Sequence, residues 1–221
     1  MLRYYHYRKL SPRSRSAYKK IAEAIKNFEP SVVAENVTNF QDVVNAVKDD
    51  NPHFFYVDWR VFYHSVSFRG DEMTLRFTYH MNKREATALY NKLKTIASRL
   101  RGRDDYQTVK NVHDYIARIT KYDTPVVDAG AYRLNDHNLI GPLNERLGVC
   151  EGISRATQFL LRELQVECTY SCGYIDEGGV KGLHAWNVVC LGGKRLMMDV
   201  TWDLASENCG SISYKYFCVP M

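Results

Sequence analysis

The 221-residue sequence lacks the long apolar run that a membrane-spanning helix requires. No stretch approaches the roughly 18 consecutive apolar residues of such a helix, so a membrane protein is not expected. The N-terminal segment, MLRYYHYRKLSPRSRS, has positive charges but no apolar segment after them, which argues against a signal peptide. We therefore predict a cytoplasmic protein, and a secreted or cell-surface one only if the natural chain carries a leader upstream of this sequence.

The sequence also lacks a Cys-x-x-Cys pair, although it contains six cysteines. Cys168 and Cys172 lie closest together and have no second ligand pair nearby, so a zinc site is not expected. Six thiols would permit three disulfides. If one thiol must stay free as a nucleophile, however, five remain, and that odd number fits a reducing compartment better.

Acidic residues are missing from the first 22 residues, which carry seven Lys and Arg. The remainder has 23 Lys and Arg against 25 Asp and Glu, so the net charge of +5 comes from this basic segment. Such a segment could bind nucleic acid, but no recognisable nucleic-acid-binding fold accompanies it. The helical spacing of Tyr18, Ile21 and Ile25 instead predicts a helix over 11–28 whose charges face solvent.

Local patterns predict a chain that begins with helices and ends with strands. The first part is predicted to contain helices over 11–28, 39–48 and 83–100, with a strand pair at 54–68 and 73–80 joined by a turn at 69–72. The second part is predicted to contain a helix over 106–120, an irregular segment over 122–147, a helix that begins near 150, and strands near 166–174, 184–191, 195–201 and 214–219. This order predicts an α+β fold in which a helix packs on an antiparallel sheet. We divide it into an N-terminal accessory region, 1–103, and a core, 104–221.

Cys150 is the first candidate catalytic residue. It lies in LNERLGVCEGISRATQFLLREL, residues 143–164, at the start of a predicted amphipathic helix. The unpaired N–H groups and the dipole of a helix N-terminus favour a thiolate. Gly148 and Gly152 would let a substrate backbone approach, although glycine is also common near helix starts. An ordinary buried thiol fits these features too, so a nucleophile additionally needs a base with its own orienting partner.

A base and its partner are found together in GLHAWNVVCLGGKRLMMDVTWD, residues 182–203. The Gly-Gly dipeptide predicts a hairpin with a two-residue loop, in which Leu191 lies opposite Lys194. In that register His184 and Asp199 are diagonal neighbours on one face, within roughly 7–8 Å. The two could form a purely structural pair. The chain order of Cys, His and Asp, with the cysteine at a helix start, favours a catalytic site instead.

These segments resemble the transglutaminase-like superfamily, which shares its core with papain-type cysteine peptidases. The likeness rests on LGVCEGISRATQFLLREL, HAWNVV and MMDVTWD in that order, and VKNVHDYIARITKYD is similar to the helix ending in Tyr-Asp of bacterial members. The resemblance covers roughly 105–221. It implies Cys150 as the nucleophile, His184 as the general base and acid, and Asp199 as the residue that orients His184. It implies no metal or organic cofactor.

The resemblance implies an enzyme that hydrolyses or transfers the acyl group of a peptide or protein substrate through a thioester. A peptidase and a true protein-glutamine transglutaminase would use the same residues. Hydrolysis is favoured, because no device for binding a second protein and nothing like the calcium loops or added β domains of animal cross-linking enzymes is visible. The alternative from another class is a non-catalytic binding module, in which Cys150 would be no more reactive than the other five cysteines.

Overall fold

The computed structural model describes residues 2, 4–35, 39–60, 63–66, 72–177, 180–206 and 209–221. These form helices and antiparallel sheets, which confirms the predicted α+β class. None of the helices in these ranges is both long enough and apolar enough to cross a membrane. The chain divides into two compact units, residues 4–90 and residues 91–221 together with Leu2. The boundary at 103/104 stays a prediction, because compact units within one chain need not fold alone.

The first unit combines helices with a three-stranded antiparallel sheet. Its elements are α1 (Tyr5–Lys9), α2 (Pro12–Asn27), β1 (Ser31–Glu35), α3 (Phe40–Asp50), β2 (Tyr63–Val66), β3 (Glu72–Arg76) and the start of α4 (Lys83–Ser98). Strand β3 lies between β1 and β2. The Ser11 hydroxyl accepts the Ser14 N–H at 3.2 Å and caps α2, and Pro12 follows in its first turn, as the sequence signals.

The strand prediction over 54–68 was wrong in its first part. Residues 54–60 form turns, and only Val57 makes a single bridge, to Tyr79. The aromatic residues that suggested a strand are instead buried by ring packing, with Tyr56 stacked on Phe28 at 4.4 Å. Strand β1 was not predicted, because it is short and its sequence, SVVAE, has three apolar residues in a row and so no alternation, although its burial does alternate. The turn expected at 69–72 lies largely outside the described residues.

The second unit packs α5 on α7, and α7 on a four-stranded antiparallel sheet. Its elements after α4 are α5 (Asp105–Ile119), β4 (Lys121–Tyr122), α6 (Thr124–Asp128), a 3₁₀ turn (Leu134–His137), a π turn (Gly141–Glu145), β5 (Leu147–Gly148), α7 (Cys150–Glu163), β6 (Cys168–Glu177), β7 (Val180–Leu191), β8 (Lys194–Met198) and β9 (Val219–Pro220). The strand order β6-β7-β8-β9 confirms the predicted meander.

The β7–β8 hairpin has the predicted register, with Leu191 paired to Lys194. The loop residues Gly192 and Gly193 have φ angles of 55° and 78°, the left-handed conformation that a tight hairpin turn requires. Strand β8 ends at Met198 rather than at 201, because the chain turns over 200–203. The strand expected at 214–219 is limited to β9, since 215–218 form turns and bends.

Candidate active site

Cys150 is the first residue of α7 and is half-buried. The helix begins here because Val149 is extended, with φ −102° and ψ 174°, and its carbonyl accepts the Ile153 N–H at 3.0 Å. The side chain of Val149 makes no capping hydrogen bond at this end of the helix. The N–H groups of the first turn are therefore available to stabilise negative charge near the thiol.

Gly152 is needed for the packing of this helix start. A Cβ at this position would lie 2.1 Å from the carbonyl oxygen of Asp136 and 2.8 Å from that of Asn138. The same Asp136 carbonyl accepts the Val149 N–H at 3.1 Å. The glycine thus lets a neighbouring loop contact the first turn of α7, rather than leaving room for a substrate as the sequence suggested.

His184 on β7 and Asp199, just after β8, lie against each other. The distance from His184 Nε2 to Asp199 Oδ2 is 2.5 Å, and both side chains are buried. The second carboxylate oxygen, Oδ1, accepts the N–H groups of Thr201 at 3.0 Å and Trp202 at 3.4 Å. Because Nε2 faces the carboxylate, Nδ1 is the ring nitrogen that remains to interact with Cys150.

The surroundings of His184 favour its charged form. Burial by itself would lower the pKa of His184, but its hydrogen bonds with Asp199 and Cys150, and the charges of both, raise that pKa to about 9. The Trp202 ring stacks on the imidazole at 4.7 Å and 11°. The imidazolium form of His184 is thereby stabilised in the folded protein.

The raised pKa of His184 should make the free energy of unfolding depend on pH. A histidine whose pKa rises on folding stabilises the native state fully below its ordinary value of 6.5, and this contribution disappears as the pH rises through about 9. His184→Gln should therefore lower the free energy of unfolding more at pH 6 than at pH 10, by on the order of 2 kcal/mol. Denaturant unfolding at both pH values measures the difference. Thr108→Val, which removes a buried hydroxyl on α5, should show none, and equal losses in His184→Gln would contradict the assignment.

Tyr122 is a member of this site that sequence reasoning missed. It pairs with Gly148 in the two-residue parallel ladder of β4 and β5, which places it beside the start of α7. Its hydroxyl is close enough to the Cys150 side chain and the Cys150 backbone for both to act on its pKa. Burial, followed by the charge of Cys150, raises the pKa of Tyr122, so the hydroxyl keeps its proton. Only the Tyr-Asp ending of the preceding helix hinted at it.

Glu151, next to the thiol, has its charge compensated. Its carboxylate accepts hydrogen bonds from Arg155 Nε at 3.1 Å and Nη2 at 3.0 Å. The His137 Nδ1 lies 3.1 Å from its other oxygen. The repulsion that this carboxylate would exert on a Cys150 thiolate is therefore reduced.

A cleft of about 590 Å³ opens beside His184 and Tyr122. One wall is formed by Lys181, Gly182 and Leu183 of β7, and the other by residues that follow β8, including Trp202 and Tyr216. Trp186, the second tryptophan near His184, instead approaches Gly173 on the neighbouring strand β6. No cluster of His, Cys, Asp or Glu in the described ranges could hold a metal ion.

Residues 94–202, which include all four residues of this site, match the family model described as the transglutaminase-like superfamily. The match covers just under half of the chain. The match confirms the resemblance that the three sequence motifs indicated. The transglutaminase-like segment runs from the second half of α4 to the turn that follows β8.

Three solved structures are similar to the chain, each at 16% identity. A Cytophaga hutchinsonii protein classed provisionally as a cysteine protease has a TM-score of 0.42, over 64% of this chain and 61% of its own. A structure described as a TGase has a TM-score of 0.46, over 77% of this chain and 50% of its own. The periplasmic domain of TgpA from Pseudomonas aeruginosa, bound to ethylmercury, has a TM-score of 0.40, over 63% of this chain and 58% of its own. The matches thus span 50 to 61% of those chains. The comparison with curated proteins gave no match.

Proposed function

We propose that the protein is a cysteine-dependent enzyme that hydrolyses a peptide or amide bond through a thioester on Cys150. The observation that carries the proposal is the hydrogen bond between His184 and Asp199 beside Cys150, at the edge of a cleft that His184 lines. A nucleophile, a base and an orienting carboxylate in contact are the arrangement that covalent acyl transfer requires.

In the first step, His184 Nδ1 takes the thiol proton and the Cys150 Sγ attacks the carbonyl carbon of the substrate. The carbonyl oxygen becomes an oxyanion. We assign its stabilisation to the Cys150 backbone N–H and the Tyr122 hydroxyl, which meet at the thiol. This supplies the second donor that the sequence alone did not identify.

In the second step, the imidazolium of His184 gives its proton to the amide nitrogen as the carbon–nitrogen bond breaks. The amine leaves, and the acyl group remains bound to Sγ as a thioester. A water molecule then loses a proton to Nδ1 and attacks the thioester carbon. The carboxylic acid leaves, and the proton returns to Sγ.

An amine in place of water would complete a transamidation with the same residues. Whether the enzyme hydrolyses or transfers the acyl group therefore depends on whether water or an amine reaches the thioester. Leu183, on the cleft wall next to His184, is 85% exposed. Water therefore has ready access to this side of the site. Transfer to an amine needs either exclusion of water or a bound acceptor.

A free strand edge supports a peptide as the substrate. Among the described residues, β6 pairs with residues 180–189 of β7, whereas β8 pairs only with residues 187–191. The Cys190 N–H donates to Glu167, so by alternation along the ladder the backbone N–H and C=O of Leu183 point away from β6, toward the cleft. An extended peptide could add to this edge and bring its carbonyl group to Cys150.

Selective alkylation tests the proposal before any substrate is known. At pH ~6 an ordinary thiol with a pKa of ~8.5 is almost wholly protonated. Limiting iodoacetamide followed by peptide mapping should label Cys150 at least about tenfold faster than Cys172 and Cys209. These two are exposed whereas Cys150 is half-buried, so accessibility cannot produce the lead. The lead should shrink as the pH rises through about 9, because His184 then loses its proton while ordinary thiols ionise.

His184→Ala is the matched variant, and it should abolish the lead of Cys150 without changing the labelling of Cys172. A parent chain in which Cys150 reacts no faster than Cys172 would refute the proposal. The binding module would then be the better interpretation of the cleft.

A further inference from the structure

A second histidine, His113 on α5, lies in the interior of the second unit between two carboxylates. Its side chain has no exposed surface. Its Nδ1 lies 3.1 Å from Asp114 Oδ1, and its Nε2 lies 3.2 Å from Asp203 Oδ2. Each ring nitrogen of His113 therefore lies within hydrogen-bond distance of a carboxylate oxygen.

Asp203 connects this histidine to two segments of the chain. Its carboxylate accepts the Tyr216 N–H at 3.2 Å, and its own carbonyl accepts the Ser213 N–H at 3.2 Å. Its N–H donates to the Val200 carbonyl at 3.2 Å, which closes the turn that follows Asp199. The side chain of Asp203 is fully buried, so water does not replace any of these bonds.

Tyr216 completes the connection to the proposed active site. Its carbonyl accepts the Asp199 N–H at 3.1 Å. Its ring lies edge-on to Trp202 at 4.6 Å, and Trp202 in turn stacks on His184. A continuous path of contacts therefore runs from His113 through Asp203 and Tyr216 to both Asp199 and His184.

The far side of His113 is also fixed by charge and hydrogen bonds. Burial alone would raise the pKa of Asp114, but hydrogen bonds from Lys110, His113 and Tyr214 hold that pKa below its usual value. The Lys110 Nζ lies 2.5 Å from Asp114 Oδ2, and the Tyr214 hydroxyl donates to the same oxygen at 3.1 Å. The imidazole ring therefore has directed partners at both nitrogens.

Stability alone does not account for this buried polar cluster, because apolar residues of similar volume often stabilise a fold as well or better. Directed hydrogen bonds fix atomic positions that apolar packing leaves less defined. We propose that His113 and Asp203 are positioning residues, which hold Tyr216 so that its carbonyl fixes Asp199 against His184. The inference rests on the proposed function, because it concerns the same cysteine, histidine and aspartate.

Asp203→Asn tests this role with almost no change in side-chain volume. Both carboxylate oxygens of Asp203 lie 3.2 to 3.3 Å from the Tyr216 nitrogen, so either orientation of the amide places an NH₂ group against the Tyr216 N–H. We expect the rate constant for alkylation of Cys150 at pH 6 to fall about tenfold, since small displacements at a reacting group have effects of this size. The rate constant should fall similarly in His113→Gln, because both N–H donors of the amide are on one nitrogen and cannot replace donors at the two ring positions.

Cys168 distinguishes positioning from loss of structure in the same peptide map. It has no exposed surface, so it is labelled only when the fold opens. Slower labelling of Cys150 with Cys168 still protected supports the proposal. The proposal is overturned if the alkylation rate of Cys150 is unchanged in both variants. It is also overturned if, in both variants, Cys168 becomes labelled to the same extent as the labelling of Cys150 declines.

Thr108→Val on the same helix is the control, because it removes a buried hydroxyl whose hydrogen bonds go to Asp104 and Gly102. It should lower the melting temperature and leave the Cys150 rate unchanged, whereas an equal fall in this variant would overturn the inference. If Cys150 of the parent chain is alkylated no faster than Cys172, the proposed function itself is refuted. That result is read before any variant is compared, so the two failures are distinguishable.

Discussion

Asp199→Asn is expected to slow the acylation of Cys150 by about 10³- to 10⁴-fold, as the equivalent change does in serine proteases. The N–H groups of Thr201 and Trp202 point at Oδ1 and will hold an oxygen there. The amide NH₂ of the asparagine must then face His184 Nε2, which can only accept from it. The proton of a neutral His184 is thereby moved to Nδ1, the nitrogen that should receive the thiol proton.

The measurement is the burst of nitrophenolate released when a nitrophenyl ester acylates the enzyme. Asp105→Asn makes the same substitution at an exposed position of α5 and should leave the burst rate unchanged. In Asp199→Asn the selective alkylation of Cys150 at pH 6 should disappear as well. Burial lowers the pKa of His184, and the variant removes the hydrogen bond to Asp199 that contributes most to raising it. A fall of less than about tenfold would show that Asp199 does not set the tautomer of His184.

The parts of the site that could be predicted from sequence are those fixed by local rules. The Gly-Gly loop determines the register of the β7–β8 hairpin, and that register alone places His184 and Asp199 on one face. The start of α7 could be placed because Gly148 and Val149 precede a clear amphipathic pattern. Each of these inferences needs only residues within about one turn or one hairpin.

The parts that could not be predicted depend on contacts distant in sequence. Tyr122 reaches Cys150 through a ladder of only two residues, which leaves no alternating pattern. His113 and Asp203 are 90 residues apart, and a helix pattern does not show which polar residue on the buried side has a partner. Asp199 ends its strand early because its N–H bonds to Tyr216, a residue that strand propensity assigned to a strand of its own.

Tyr122→Phe is expected to separate two reactions that share the same thiolate. A phenol donates one proton at a time, and in the resting site its partner is the Cys150 side chain. When Sγ becomes bonded to carbon it is a weak acceptor, so the hydroxyl is free to donate to the adjacent oxyanion. Loss of such a donor should lower the acylation rate by about 10²- to 10³-fold.

Alkylation by iodoacetamide displaces iodide at a tetrahedral carbon and forms no oxyanion, so Tyr122→Phe should change its rate only a few-fold. The ratio of acylation to alkylation is therefore the quantity to measure, with Tyr174→Phe, at a tyrosine 69% exposed, as the control. If both rates fall together, the hydroxyl acts on the thiolate and not on the oxyanion. If neither rate falls, Tyr122 is only a packing residue, and the second oxyanion donor lies elsewhere.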